Sequence, residues 1–74
     1  MKKYFVSYRY LIGNDENGKN LYEPSSAILM INMDDIKDVY DLAQLILENE
    51  MSYAKSWSPP LDRYNIEIIT CNRI

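Results

Sequence analysis

One stretch of this chain carries apolar residues at helical spacing, and that restricts its architecture more than any other feature. At about 100° per residue, Ile36, Val39, Tyr40, Leu42, Ala43, Ile46, Leu47 and Met51 cover half a helix circumference, the wide stripe of a helix lying on a sheet. A lone helix cannot bury such a stripe by itself, so β-structure must supply the second layer. Asp34, Lys37, Asp38, Asp41, Gln44 and Glu48 take the opposite half, with Leu45 the single apolar residue among them.

The segments on either side alternate with period two. In Lys3–Ile12 (KYFVSYRYLI), Tyr4, Val6, Tyr8, Tyr10 and Ile12 share one face and Lys3, Phe5, Ser7, Arg9 and Leu11 the other, which predicts a first strand covered on one side. Gly13–Gly18 (GNDENG) is a run of turn formers, and Asn17-Gly18 signals a hairpin. Lys19–Glu23 begins the return, but Pro24 lacks an amide donor, which predicts an irregular edge before pairing resumes. The secure part of the second strand is Ala27–Ile31, apolar on both faces and therefore expected to be central.

Asn32 reads as the helix N-cap, with Asp35 at N3 and a hydrophobic staple between Ile31 and Ile36. The helical pattern fades after Met51, and Ser56-Trp57-Ser58-Pro59-Pro60 ends any helix, leaving a loop to about Arg63. Tyr64–Cys71 (YNIEIITC) predicts a third strand that sets Tyr64, Ile66, Ile68 and Thr70 against Asn65, Glu67, Ile69 and Cys71. The expected fold is α+β: ββαβ, a three-stranded sheet in spatial order 2-1-3 with one amphipathic helix on one face. A right-handed crossover would lay strand three parallel to strand one.

A chain of 74 residues holds one domain, here 1-74. Eight basic against eleven acidic side chains argue against direct nucleic-acid binding, which relies on neutralising phosphates. With no His and only Cys71, neither the usual zinc sets nor a Ser-His-Asp or Cys-His arrangement can be assembled, so the chain is read as non-catalytic, without metal or cofactor. Cys71, on the more polar face of its strand, is read as a structural thiol. The longest apolar run, Ala27–Ile31, cannot cross a bilayer, and a single unpaired Cys suits a reducing cytoplasm.

Two sets of residues stand out as candidates for partner binding. Between Asp34 and Glu50 six carboxylates face one Lys, and Asp34, Asp38, Asp41 and Glu48 run along the outward half as a row that would oppose a basic surface. The plainer reading of that row is a solvated face whose acids favour the helix N-terminus. Seven Tyr and one Trp exceed the needs of one small core, and Tyr22, Tyr53 and Trp57 fall in segments expected to be irregular, where amphipathic rings serve as exposed anchors. Trp57 before two prolines would equally serve as a lid over the sheet's open end. Tyr4, Tyr8, Tyr10, Tyr40 and Tyr64 are assigned to the core or its rim.

The opening KYFVSYRY, the Gly/Asn-rich turn, an apolar strand running into Asp34-Asp35-Ile36 and an Ile-rich last strand resemble small ββαβ proteins of phages and mobile elements, among them anti-CRISPR inhibitors of host defence. The resemblance implies action without catalysis, inside the host cytoplasm: docking on a nucleic-acid-binding complex and blocking it. It transfers no functional residues. The residues themselves predict a protein partner, with Asp34, Asp38, Asp41 and Glu48 steering and Leu45, Tyr22, Tyr53 and Trp57 gripping, in a monomer or homodimer. The alternative is a structural module that homo-oligomerises through a sheet edge or face.

Overall fold

The computed structural model describes Met1–Ile74. Strands β1 (Lys2–Asn14) and β2 (Asn20–Ile31) form a long hairpin, followed by a 3-10 turn (Met33–Asp35), helices α1 (Val39–Asn49) and α2 (Met51–Lys55), a second 3-10 turn (Arg63–Asn65) and strand β3 (Ile66–Arg73). The fold is α+β, with a three-stranded sheet in the order β2-β1-β3.

β3 runs antiparallel to β1, from Tyr10↔Ile66 to Tyr4↔Arg73, and not parallel as expected. The helical crossover joins β2 to β3, and those two do run in the same direction, both antiparallel to β1. β2 ends beside Lys2, α1 and α2 carry the chain back along the sheet, and β3 starts beside Tyr10. The single helical layer therefore returns β3 to the direction of β2, with β1 inserted between them. β3 covers only Tyr4–Tyr10, so the hairpin extends past it as a two-stranded arm, and the molecule measures 42 × 21 × 19 Å.

β2 is an edge strand, and it begins earlier than Ala27. Its pairing runs without interruption from Leu11↔Tyr22 to Lys2↔Ile31, with Pro24 opposite Arg9. Proline is accommodated because at an edge its missing donor can point away from the neighbouring strand. The irregularity lies instead between Leu11 and Gly13, where Gly13 takes a positive φ of 153°. The apolar second face of β2 is thus left open, and Ile28 is 61% exposed and Met30 57%.

The helix also starts later than expected. Asn32 caps only the 3-10 turn, its Oδ1 accepting from the Asp34 amide at 3.2 Å. Ile36 is extended, and α1 is capped by Asp38, whose Oδ1 accepts from Tyr40 N at 2.9 Å and Asp41 N at 3.0 Å. Two capping side chains six positions apart compete to start one helix, and the run between them breaks it in two. Val39 then falls in the first turn and is 52% exposed, while Leu42, Ala43, Ile46 and Leu47 are buried. Tyr40 and Met51 also lie outside the core, and Ile36 is half-buried against it.

The core joins those helical residues to Val6, Tyr8, Tyr10, Ile31, Ile66, Ala54 and Leu61. In β3 a bulge between Ser7 and Tyr8 leaves Ile69 without a partner on β1. An extra residue reverses the alternation. Thr70 is consequently exposed, and Cys71 is turned opposite Val6 and packs against the core. This corrects the expected face of Cys71, whose thiol pKa is raised by burial.

Candidate partner-binding site

Residue Glu50 organises the most distinctive chemistry of the surface. It sits at the junction of α1 and α2 with φ −119° and ψ 35°, where its amide donates to Ile46 O and Leu47 O, at 3.0 and 3.2 Å. Four residues beyond Ile46, it points along the apolar stripe toward the sheet. Its Oε1 accepts from the Tyr8 hydroxyl at 2.6 Å, and its Oε2 accepts from the Tyr10 hydroxyl. Tyr8 and Tyr10 are adjacent on the covered face of β1, with ring centroids 5.7 Å apart and edge to face. A carboxylate at this depth requires donors, and two buried phenols supply them without a positive charge.

Tyr53 extends the arrangement from α2. Its ring lies 5.0 Å from that of Tyr10, and its hydroxyl donates to Glu23 Oε2 at 2.5 Å. Glu23 comes from β2, directly opposite Tyr10 in the ladder. Between them opens a cleft of about 360 Å³, lined by Tyr10, Glu23, Pro24, Ser25, Glu50, Ser52 and Tyr53. Two carboxylates and two tyrosine rings border it, and no Lys or Arg does. Such a lining suits an alkylammonium or guanidinium group, which carboxylates attract and aromatic faces accept.

The phenols respond to this setting. Burial first, and then the hydrogen bond to Glu50, push the Tyr8 pKa up to about 12. The same two causes, in the same order, raise that of Tyr10 further. Tyr53 is also raised, by desolvation and then by its bond to Glu23. All three therefore remain neutral donors in neutral solution.

The expected site residues divide into groups that the fold does not bring together. Asp34 belongs to the separate 3-10 turn, so the acidic row does not lie on one continuous helix. Asp38 is the α1 cap, and Asp41 turns back to accept from Lys37 N at 2.8 Å, which leaves exposed Glu48 as the member of the row on α1 with no capping role. Leu45 is half-buried against the core and does not project as a grip. Tyr53 and Trp57 are both half-buried, with rings 6.2 Å apart, and Trp57 packs on the core as a lid would. Tyr22 occupies the opposite face of the sheet under Arg9, whose guanidinium lies 3.7 Å from the ring centroid. None of these three is a freely exposed ring. Tyr40 and Tyr64, expected in or around the core, pair on the surface at 5.0 Å, and Tyr64 is exposed.

Glu23 and Glu50 were not among the expected site residues. Glu50 carries a sequence signal, since it is the helix-region carboxylate that falls within the apolar stripe. Glu23 carries none, because its proximity depends on the hairpin register. No helix is long and apolar enough to cross a membrane. Compared with family models, with curated proteins and with solved structures, the chain finds no match.

Proposed function

We propose that this is a small non-catalytic binding protein, of phage or mobile-element origin, that inhibits a host defence complex in the host cytoplasm by docking on its basic, nucleic-acid-binding surface in the manner of anti-CRISPR proteins. One observation carries the reading: of the eleven Asp and Glu side chains, only Glu67 lies within ion-pair distance of a cation, Arg9. The fold leaves its negative charge available to a partner. Glu23 and Glu50 offer a cleft for a Lys or Arg side chain of that partner, and Asp34, Asp38, Asp41 and Glu48 offer a diffuse acidic surface that accelerates encounter.

The direct test expresses the chain in bacteria whose defence systems restrict a targeted phage. Plating efficiency rises by orders of magnitude if one of those systems is blocked, and Glu23→Gln reduces the rise. Unchanged restriction across a panel of CRISPR-type systems would sink the proposal.

A further inference from the structure

The outer edge of β2 is the least defended part of the molecule. Nothing pairs with it, and no charged residue stands between Glu23 and Asp34. Edge strands are ordinarily blunted by Lys, by Pro, by a bulge or by covering elements, since their free amides and carbonyls recruit another strand, and here Pro24 blunts only the start of β2 and leaves Ser25–Ile31 open. The ladder with β1 is regular from Tyr22 to Ile31, so no bulge interrupts the uncharged edge. The opposite edge, β3, has Glu67 and Arg73 along it and a bulge at Ile69.

Pro24 settles which groups point outward. It has no N–H, so the position fits where residues do not bond to β1, and alternation then assigns outward-facing N–H and C=O groups to Ser26, Ile28 and Met30. The side chains from Ser25 to Ile31 add a second constraint, because the segment is small in its first half and large in its second: Ser, Ser, Ala, then Ile28, then Leu, Met, Ile. Antiparallel pairing with an identical strand about Ile28 sets Ser25 opposite Ile31, Ser26 opposite Met30 and Ala27 opposite Leu29. Each small residue meets a large one, and the outward groups of Ser26, Ile28 and Met30 meet their like. No charge opposes a charge within that stretch.

We infer that two copies of this chain associate through β2, antiparallel about Ile28, to form one continuous six-stranded sheet. The exposed Ile28 and Met30 side chains, with the neighbouring Phe5, merge across the two-fold axis into one apolar strip. A self-complementary patch of this kind is what a two-fold dimer requires. The inference goes beyond the proposed partner binding and rests on separate observations, the register and side-chain order of β2, although the two surfaces adjoin at Ser25, which also lines the Glu23–Glu50 cleft.

Sedimentation velocity on the whole chain, across a concentration series, tests it. The expected result is a species of twice the 8.7 kDa chain mass whose dissociation constant rises at least roughly tenfold in Ile28→Lys, where two like charges would stand directly opposite. Ile69→Lys makes the same chemical change at a similarly exposed position on the other edge (53%) and should leave association unchanged. Amide hydrogen exchange gives a second reading: protection of Ser26, Ile28 and Met30 should grow with concentration, while Ala27 and Leu29, already bonded to β1, should not respond. A monomer throughout the series, equal weakening by both Lys variants, or concentration-dependent protection on β3 instead of β2 would each overturn the inference.

Discussion

At the scale of single residues, the pairing of two buried phenols with one carboxylate is the feature with the clearest energetic signature. Tyr8 and Tyr10 are almost wholly buried, so removing either hydroxyl leaves Glu50 with an unmet acceptor in a partly dry site. Tyr8→Phe is expected to cost about 1.5–3 kcal/mol, the range for a hydrogen bond to a charged group, as measured by denaturant unfolding. The pH dependence follows from the same contact. The Tyr8 pKa is about 12 in the folded chain against 10.0 for an ordinary tyrosine. Its contribution to stability is therefore complete below pH 10 and is lost as pH rises toward 12, because the unfolded chain releases the phenolic proton first. Tyrosinate absorbance during an alkaline titration checks this, and Glu50→Gln should lower the late-titrating step toward the ordinary value. The tyrosines of β1 were legible from alternation alone. Their carboxylate was legible only as an anomaly, an acid where the helical stripe demands an apolar residue.

Elements were legible wherever one periodicity ruled, and less so where local and tertiary preferences disagreed. β1 and the β2-β1-β3 order follow from alternation and from the turn at Asn17-Gly18, where Asp15 Oδ1 accepts from Asn17 N at 2.8 Å and from Lys19 N at 2.9 Å. The direction of β3 was legible too, although the parallel expectation missed it: the helix lies between β2 and β3 in sequence, so its crossover restores the direction of β2, and the hairpin makes that direction antiparallel to β1. The face of Cys71 was not legible, since a bulge leaves no trace in a short run of Ile and Thr. The start of α1 depended on choosing between Asn32 and Asp38, two residues with equal capping ability. Substitution separates them: Asp38→Ala should cost about 1 kcal/mol in thermal or denaturant unfolding, whereas Asp38→Asn, which retains the acceptor, should be close to neutral. On the buried side of the same helix, Ile46→Ala should cost on the order of 2–5 kcal/mol, and Val39→Ala, at an exposed first-turn position, should cost far less. Equal losses at Val39 and Ile46 would contradict the register of α1.

For the whole molecule, charge and shape act on different surfaces. Neutralising Asp38, Asp41 and Glu48 together, to Asn, Asn and Gln, should change the unfolding midpoint little, because Asn preserves the cap and exposed charges add little stability. Affinity for a basic partner should fall and lose much of its salt dependence, since free charges of this kind are screened over about 10 Å at 0.1 M salt. Binding isotherms of parent and triple variant at two ionic strengths provide the comparison, and identical salt responses would assign the row to solvation alone. If only Glu23→Gln weakens binding, the attraction resides in the cleft. The contrast matters because the acids of the row were legible in the sequence as a charge run, while the cleft exists only once β2 and α2 meet.

The strand order also governs the chain during its synthesis. β1 occupies the middle of the sheet yet emerges before both of its partners, and Tyr4 must wait for Arg73 of β3. The hairpin with β2 can close early, but the other flank of β1 stays open until Ile66–Arg73 has cleared the ribosome. A nascent chain at that stage displays two bare strand edges on one hairpin, and Val6, Tyr8 and Tyr10 have lost the cover of Ile66. Chaperone capture and chain-to-chain mispairing are therefore concentrated in the interval between closure of the hairpin and docking of β3.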